Sequence, residues 1–294
     1  MIDIIQEKIM TCGWGTTHFF FFSENVFNNL IYYSHLFPFI VSAILGIFVL
    51  IKGKNQLVSR TLATITGLIS LWLIGDLVLW ATESPRAVLF FWALINMVEP
   101  IIYTAVLYFT FVFIDQRDVS FAKKILLTLP LLPTLLLTHT DFAIQGFDLS
   151  NCDRDAVEGW LVYYGYLIEL VYIAWLLFFS IYRFIKERNH IARDKIVLVT
   201  LGSLGFLITF SFGNIIGSLF ADSSILGEYS WTIGQYGIFG VPIFAIFLAY
   251  LIVTYNSLNI KVLGSQMLIF GLCLLIGAQL FYATSFTNTV LIVI

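Results

Sequence analysis

Apolar runs of about twenty residues recur along the whole chain, and that pattern constrains its fold more than any other feature. Segments 30–51, 61–81, 87–114, 125–140, 160–182, 196–220 and 231–256 meet or approach the length a bilayer-spanning helix needs. An eighth run follows at 264–282, and "VLIVI" up to Ile294 reads as the start of a ninth. Membrane strands would instead be about ten residues long with alternating polarity, and these runs do not alternate. A helix satisfies its backbone polar groups internally, which lipid requires. The expected fold class is therefore all-α integral membrane: a polytopic helical bundle with a seven-helix receptor-like core, an eighth helix and the start of a ninth. Residues 1–29 form a tail, 30–256 the bundle, and 257–294 a connecting turn with the last helices.

Composition agrees. Only 11% of the 294 residues are charged and 60% are hydrophobic, whereas a soluble domain carries roughly 25% charge to cover its surface. The net charge of −3 offers no basic patch for nucleic acid; the expected surroundings are membrane lipid.

Charge is sorted along the chain, and the sorting orients it. With the first residue outside, the cytoplasmic loops hold Lys52, Lys54, Arg60, Arg117, Lys123, Lys124, Arg183, Lys186, Arg188, Arg193, Lys195 and Lys261, twelve of the 15 basic residues. Of the 18 acids, eleven fall outside, four inside (Asp115, Asp118, Glu187 and Asp194) and three within helices. The expected location is the cytoplasmic membrane, multi-pass, with the N-terminus outside. "MIDIIQEKIM" is acidic rather than basic and precedes no small-residue cleavage site, so the tail reads as retained rather than as a signal peptide. Its His18–Phe22 run reads as aromatic anchoring at the interface.

Two of the three cysteines, Cys12 and Cys152, fall on the same expected side. A disulfide between them is allowed outside the cytoplasm and would clip the tail to loop 141–159; two free thiols are the alternative. Cys273 reads as a packing residue. No CxxC or histidine cluster occurs, so no metal site is expected. Asp153 and Asp155 resemble the opening of a calcium loop, but the glycine and distal glutamate are not at the required spacing. The loop reads as solvated and acidic.

Asp76, Glu99 and Glu169 lie inside apolar segments, where an ionisable group is costly unless paired, protonated or hydrated. Each is thereby a candidate for ligand binding or proton sensing. Trp72, Asp76 and Trp80 share one helix face; Trp92, Asn96, Glu99 and Tyr103 make a second stripe; Tyr166, Glu169 and Tyr172 make a third. Ser211, Asn214 and Ser218 line the sixth segment, and Gln235 and Tyr236 stand on the seventh. No lysine or arginine is embedded nearby, so Tyr, Asn or Trp partners, or protonation, are expected. The sharp reading is an outward-opening polar and aromatic cavity; plain interhelical hydrogen bonding is the alternative.

Catalytic signatures are missing from the chain: no GxSxG, HExxH, Walker or dinucleotide loop. No cofactor is expected. Every lysine lies in a loop or at a helix end, which removes a retinal Schiff base. Prolines break segments three, four and seven without paired symmetry, so a small-solute or proton-coupled transporter using the same acids stands as the alternative reading.

The stretches "YYSHLFPFIVSAILGIFVLIKGKN", "LYFTFVFIDQRDVSFAKK", "GFDLSNCDRDAVEGWLVYYGYLIEL", "FGNIIGS" and "FLAYLIVTYNSLNIKVLGSQ" resemble the N-terminal seven-transmembrane sensor region of bacterial histidine kinases over roughly residues 31–266. The resemblance implies a signal-transducing receptor for an unknown small ligand, homodimeric through the helices after the bundle and passing its signal to a cytoplasmic kinase. The kinase itself is outside this sequence: no phosphoacceptor motif or nucleotide box occurs, and His190 in "ERNHIARDK" lacks that context.

Overall fold

The computed structural model describes residues 17–18, 22–23, 30–52, 56–82, 84–148, 155–211, 215, 232, 234–245 and 247. Cys12, Cys152, Asn214, Ser218 and Cys273, and the runs at 264–282 and 289–294, lie outside the described residues.

The described chain is mostly helical. A two-residue pairing, β1 (Thr17–His18) with β2 (Phe22–Ser23), precedes α1 (Leu30–Lys52), α2 (Gln56–Ala81) and α3 (Pro85–Asp115). A broken helical path follows: α4 (Phe121–Thr128), a 3-10 turn (Leu129–Leu131) and α5 (Leu132–Leu137). An antiparallel hairpin, β3 (Ile144–Asp148) with β4 (Asp155–Glu158), leads into α6 (Trp160–Lys186) and α7 (His190–Ser211). Further helical turns occupy 234–237 and 240–245.

Among the described residues, four helices are long and apolar enough to cross a membrane: Leu30–Ile51, Leu57–Ala81, Arg86–Asp115 and Trp160–Lys186. Their outer faces carry the signature of lipid contact. Ile40, Ile44, Ile47 and Ile51 are exposed along α1, as are Leu170, Phe178, Ile181 and Ile185 along α6. Spacings of three and four place each set on one stripe. In water such stripes would be a liability; in lipid they are the favourable solution. The chain is a helical membrane protein, and the most enclosed of these four helices is α3, with 72% of its apolar window buried against 28% for α6. α1 packs along α2, α2 along α3, and α3 also along α6 and α7.

The structure revises two expectations. Segment 125–140 is not one regular α-helix. Pro130 and Pro133 lack the N–H that an α-helix needs, and the chain tightens into a 3-10 turn between α4 and α5. Tyrosines of α6 cap the carbonyls there: Tyr164 donates to Pro130 O at 2.8 Å and Tyr172 to Leu127 O at 2.6 Å. Broken backbone at membrane depth is tolerated where neighbours re-satisfy it in this way. Loop 141–159 is not a plain solvated loop either, since Ile144–Glu158, Gly146–Val157, Phe147–Ala156 and Asp148–Asp155 pair across the hairpin. In the run His18–Phe22, His18 pairs with Phe22, and residues 19–21 lie outside the described residues.

Gly159 joins that hairpin to α6. Its N–H donates to Ala143 O at 2.7 Å, Leu161 N–H donates to Phe142 O at 3.0 Å, and a Cβ on Gly159 would overlap the Phe142 carbonyl. Backbone cannot yield as a flexible side chain can, so Gly159→Ala should cost about 1–3 kcal/mol. Thermal unfolding in detergent checks this against Gly146→Ala, whose added carbon meets nothing within 4 Å. Equal stabilities would disprove the close approach.

At the opposite end of the bundle the basic residues are tied down. Arg183 of α6 pairs with Asp115 at the end of α3, and the Arg193 guanidinium lies 4.1 Å from the Phe184 ring centroid. Lys124 Nζ donates to Asp118 Oδ2 at 2.6 Å, as does the Tyr108 hydroxyl to Oδ1. Those two bonds hold the Asp118 carboxyl below the ordinary carboxylate range, so this tie contributes fully above that range and is lost as pH falls to the lowered value beneath it.

Candidate functional site

α2 and α7 end, and α3 and α6 begin, at the hairpin end of the bundle. Their side chains enclose a cleft there. Trp72, Asp76 and Trp80 come from α2, Trp92, Ile95, Asn96 and Glu99 from α3, and Tyr166 from α6. Phe210 of α7, Gly234, Gln235 and Ile238 complete the wall, and Glu158 reaches it from β4. Spacings of four and three along α2 and α3 explain why so many of these residues meet: each set lies on one helix face, and the two faces turn toward each other. The cleft has about 40 Å³ open to water centres. One water needs about 10–15 Å³ by that measure, so it takes several waters or one small solute.

A second, smaller cavity of about 20 Å³ shares Asn96, Glu99 and Tyr166 with the first and continues to Thr134, Thr138, Gly165 and Glu169. Glu169 lies beside Glu99 and the Tyr103 hydroxyl. Tyr103 stands just beyond these cavities, its hydroxyl 2.6 Å from Ser211 Oγ and 3.4 Å from Leu207 O. Of the residues singled out from sequence, Trp72, Asp76, Asn96, Glu99, Tyr166 and Gln235 thus converge on one cleft, and Glu169 on its extension. Tyr236 does not join them; it is turned outward.

Asp76 has a partner that the lack of embedded lysine or arginine concealed. His35 Nε2 lies 2.7 Å from Asp76 Oδ2, and His35 Nδ1 lies 2.8 Å from Ile31 O. A carbonyl only accepts, so Nδ1 carries a proton and donates. Ser34 Oγ also lies 2.9 Å from Nδ1, so both ring nitrogens are engaged. Trp72 stacks on His35, with centroids 6.3 Å apart and planes 9° apart, and meets Phe210 edge-on at 4.7 Å. The sequence signal was His35 itself, a histidine within an apolar run on the helix preceding Asp76.

Around this pair lies a set of buried polar atoms without hydrogen-bond partners: Trp72 Nε1, Trp92 Nε1, Asn96 Nδ2, Gln235 Oε1 and, in the extension, Glu169 Oε2. Buried polar groups are nearly always paired, and each orphan costs about 1–3 kcal/mol. Four in one cleft and a fifth in its extension define a site built for polar contents. Glu158 Oε1 accepts the Tyr166 hydroxyl at 2.9 Å, which fastens the hairpin across the mouth. No group of three or more metal-ligating side chains occurs among the described residues.

Fold and cleft together define the class: a polytopic α-helical membrane protein with a solute-sized polar and aromatic cleft at one end. Comparison with family models, with curated proteins and with solved structures returns no match for the chain.

Proposed function

We propose that this chain is the membrane sensor module of a signalling receptor, binding a small solute in the cleft and passing the change to a cytoplasmic kinase of the two-component histidine-kinase type. The observation that carries the reading is the convergence of orphaned polar atoms from α2, α3 and residue 235 on one cleft. A solute satisfying them would draw these elements together, and a ligand shifts an equilibrium only through such differential contacts. The basic residues at the far end favour a cytoplasmic location for that end and an external one for the hairpin. Attachment to a kinase and dimerisation through helices beyond the bundle follow from the resemblance over residues 31–266.

A receptor fits the interior better than a transporter. Between Tyr103 and the basic end the described core is filled by Leu107, Phe109, Val112, Phe113, Leu176 and Phe206, each at most 2% exposed. A solute reaching Glu169 meets packed side chains beyond it.

The test joins residues 1–294 to a histidine-kinase domain and follows autophosphorylation in proteoliposomes. Asn96→Leu and Glu99→Gln should each change basal phosphorylation at least threefold, while Ile44→Val on the lipid face leaves it unchanged. Unaltered phosphorylation in both cleft variants would remove the receptor reading. Concentrative uptake of glycine or of protons by the same vesicles would replace it with the transporter.

A further inference from the structure

Resting on the receptor reading, we infer that the cleft binds a small uncharged polyol of glycerol size. Donors and acceptors on the wall dictate that chemistry. Three buried N–H groups there have no partner, Trp72 Nε1, Trp92 Nε1 and Asn96 Nδ2, and one buried acceptor, Gln235 Oε1, has none either. Trp72, Trp92 and Gln235 are each more than nine-tenths buried. Indole nitrogen only donates, so the ligand must bring acceptors to the tryptophans and a donor to the Gln235 oxygen.

Hydroxyls meet both demands at every oxygen. Each carries one O–H donor and two lone pairs, so a compact triol accepts all three N–H bonds and still donates to Gln235. Other small polar groups fall short. An ammonium has donors but no acceptor and leaves both indoles stranded. A carboxylate accepts the three N–H groups but gives Gln235 Oε1 nothing, and its charge would stand beside the acid side chains of Asp76, Glu99 and Glu158 on the same wall. An amide carbonyl has two lone pairs for three donors. The acids of the wall do not oppose a hydroxyl: Glu158 Oε1 already accepts one, from Tyr166 at 2.9 Å.

Size and walls agree with this choice. About 40 Å³ of space for water centres corresponds to about three waters, and the hydroxyl oxygens of a three-carbon triol would take those places. Ile95, Phe210 and Ile238 form an apolar part of the wall, which suits the C–H side of such a chain. A polyol is amphipathic in the same way as the cleft.

The experiment records the indole proton–nitrogen resonances of the whole chain in phosphatidylcholine nanodiscs, with Trp72→Phe and Trp92→Phe assigning the two cleft indoles. Glycerol should move both indole protons downfield in a saturable way, because each N–H gains an acceptor. Propan-1-ol, acetamide and propionate should bind at least tenfold more weakly. Gln235→Met keeps the length of the side chain and removes its acceptor; it should weaken glycerol at least fivefold while the helical circular dichroism is unchanged. Any of the three analogues binding as tightly as glycerol would overturn the polyol, and so would no saturable shift of the indoles with glycerol. The same shift in phosphatidylglycerol nanodiscs without added glycerol would assign the hydroxyls to a lipid headgroup and overturn a free solute. The analogue series uses the unsubstituted chain, so a misfolded variant does not protect the idea. Failure here leaves the receptor reading to the phosphorylation response of Asn96→Leu and Glu99→Gln, which involves no added ligand.

Discussion

Asp76→Leu should lower the stability of the bundle by about 2–4 kcal/mol, and His35→Leu on top of it should restore at least half of the loss. Removing one member of a buried charged pair costs about 3–5 kcal/mol in soluble interiors, whereas hydrogen bonds between inserted helices reach at most about 2. The expected range lies between those bounds. The physical reason is the polar group left behind. His35 is 1% exposed at its side chain and donates through Nδ1 to Ile31 O, so loss of Asp76 strands Nε2 in an apolar interior. Replacing both residues by leucine removes the stranded group altogether. The readout is a double-mutant cycle on unfolding in mixed micelles, with the coupling term as the quantity of interest. A cost below 1 kcal/mol for Asp76→Leu, or additive losses in the double variant, would show that the 2.7 Å contact contributes nothing. Since Trp72 stacks on His35, the single variant should also change tryptophan emission.

The second large effect is expected at Gly240. A Cβ there would overlap Thr209 Oγ1 and lie 2.9 Å from Thr209 Cβ. Thr209 cannot simply rotate aside, because its hydroxyl donates to Gly205 O at 2.7 Å and to Phe206 O at 3.0 Å. Gly240→Ala should therefore cost about 2–3 kcal/mol, at the upper end of overpacking losses. Thr209→Ala in the same chain should recover most of it by deleting the obstructing oxygen. Gly165→Ala is the control: nothing lies within 4 Å of its added carbon, and in a helix alanine gains about 1 kcal/mol over glycine. Function should follow stability here. Gln235, in the turn before Gly240, contributes its amide to the cleft, so pushing 240–245 away from α7 opens the cleft wall. Gly240→Ala as stable as the parent protein would mean that the two elements do not approach so closely.

Individual residues show how far the sequence could be read. The stripes Trp72–Asp76–Trp80 and Trp92–Asn96–Glu99 were legible because helical periodicity is local, and lipid forbids any other backbone for runs of that length. That the two stripes face one another across a cleft was not legible, since periodicity fixes a face but not its neighbour. Glu158 read as one more acid of a loop; only the pairing of Ile144 with Glu158 and the bond from Tyr166 bring it to the cleft. The prolines at 130 and 133 announced irregularity, but the caps from Tyr164 and Tyr172 that make a broken helix tolerable lie more than thirty positions away in the chain.

Sequence alone determined that this chain is helical, lives in lipid, and sorts its basic and acidic residues to opposite ends. Those properties follow from local run length and charge, which the solvent acts on directly. Tertiary structure decided the rest: that Asp76 is matched by His35, that Glu99 and Glu169 adjoin, and that the orphaned atoms of Trp72, Trp92, Asn96 and Gln235 open on one space. Each is a contact between helices, and in lipid such contacts are chosen by shape and by polar groups seeking partners rather than by hydrophobicity.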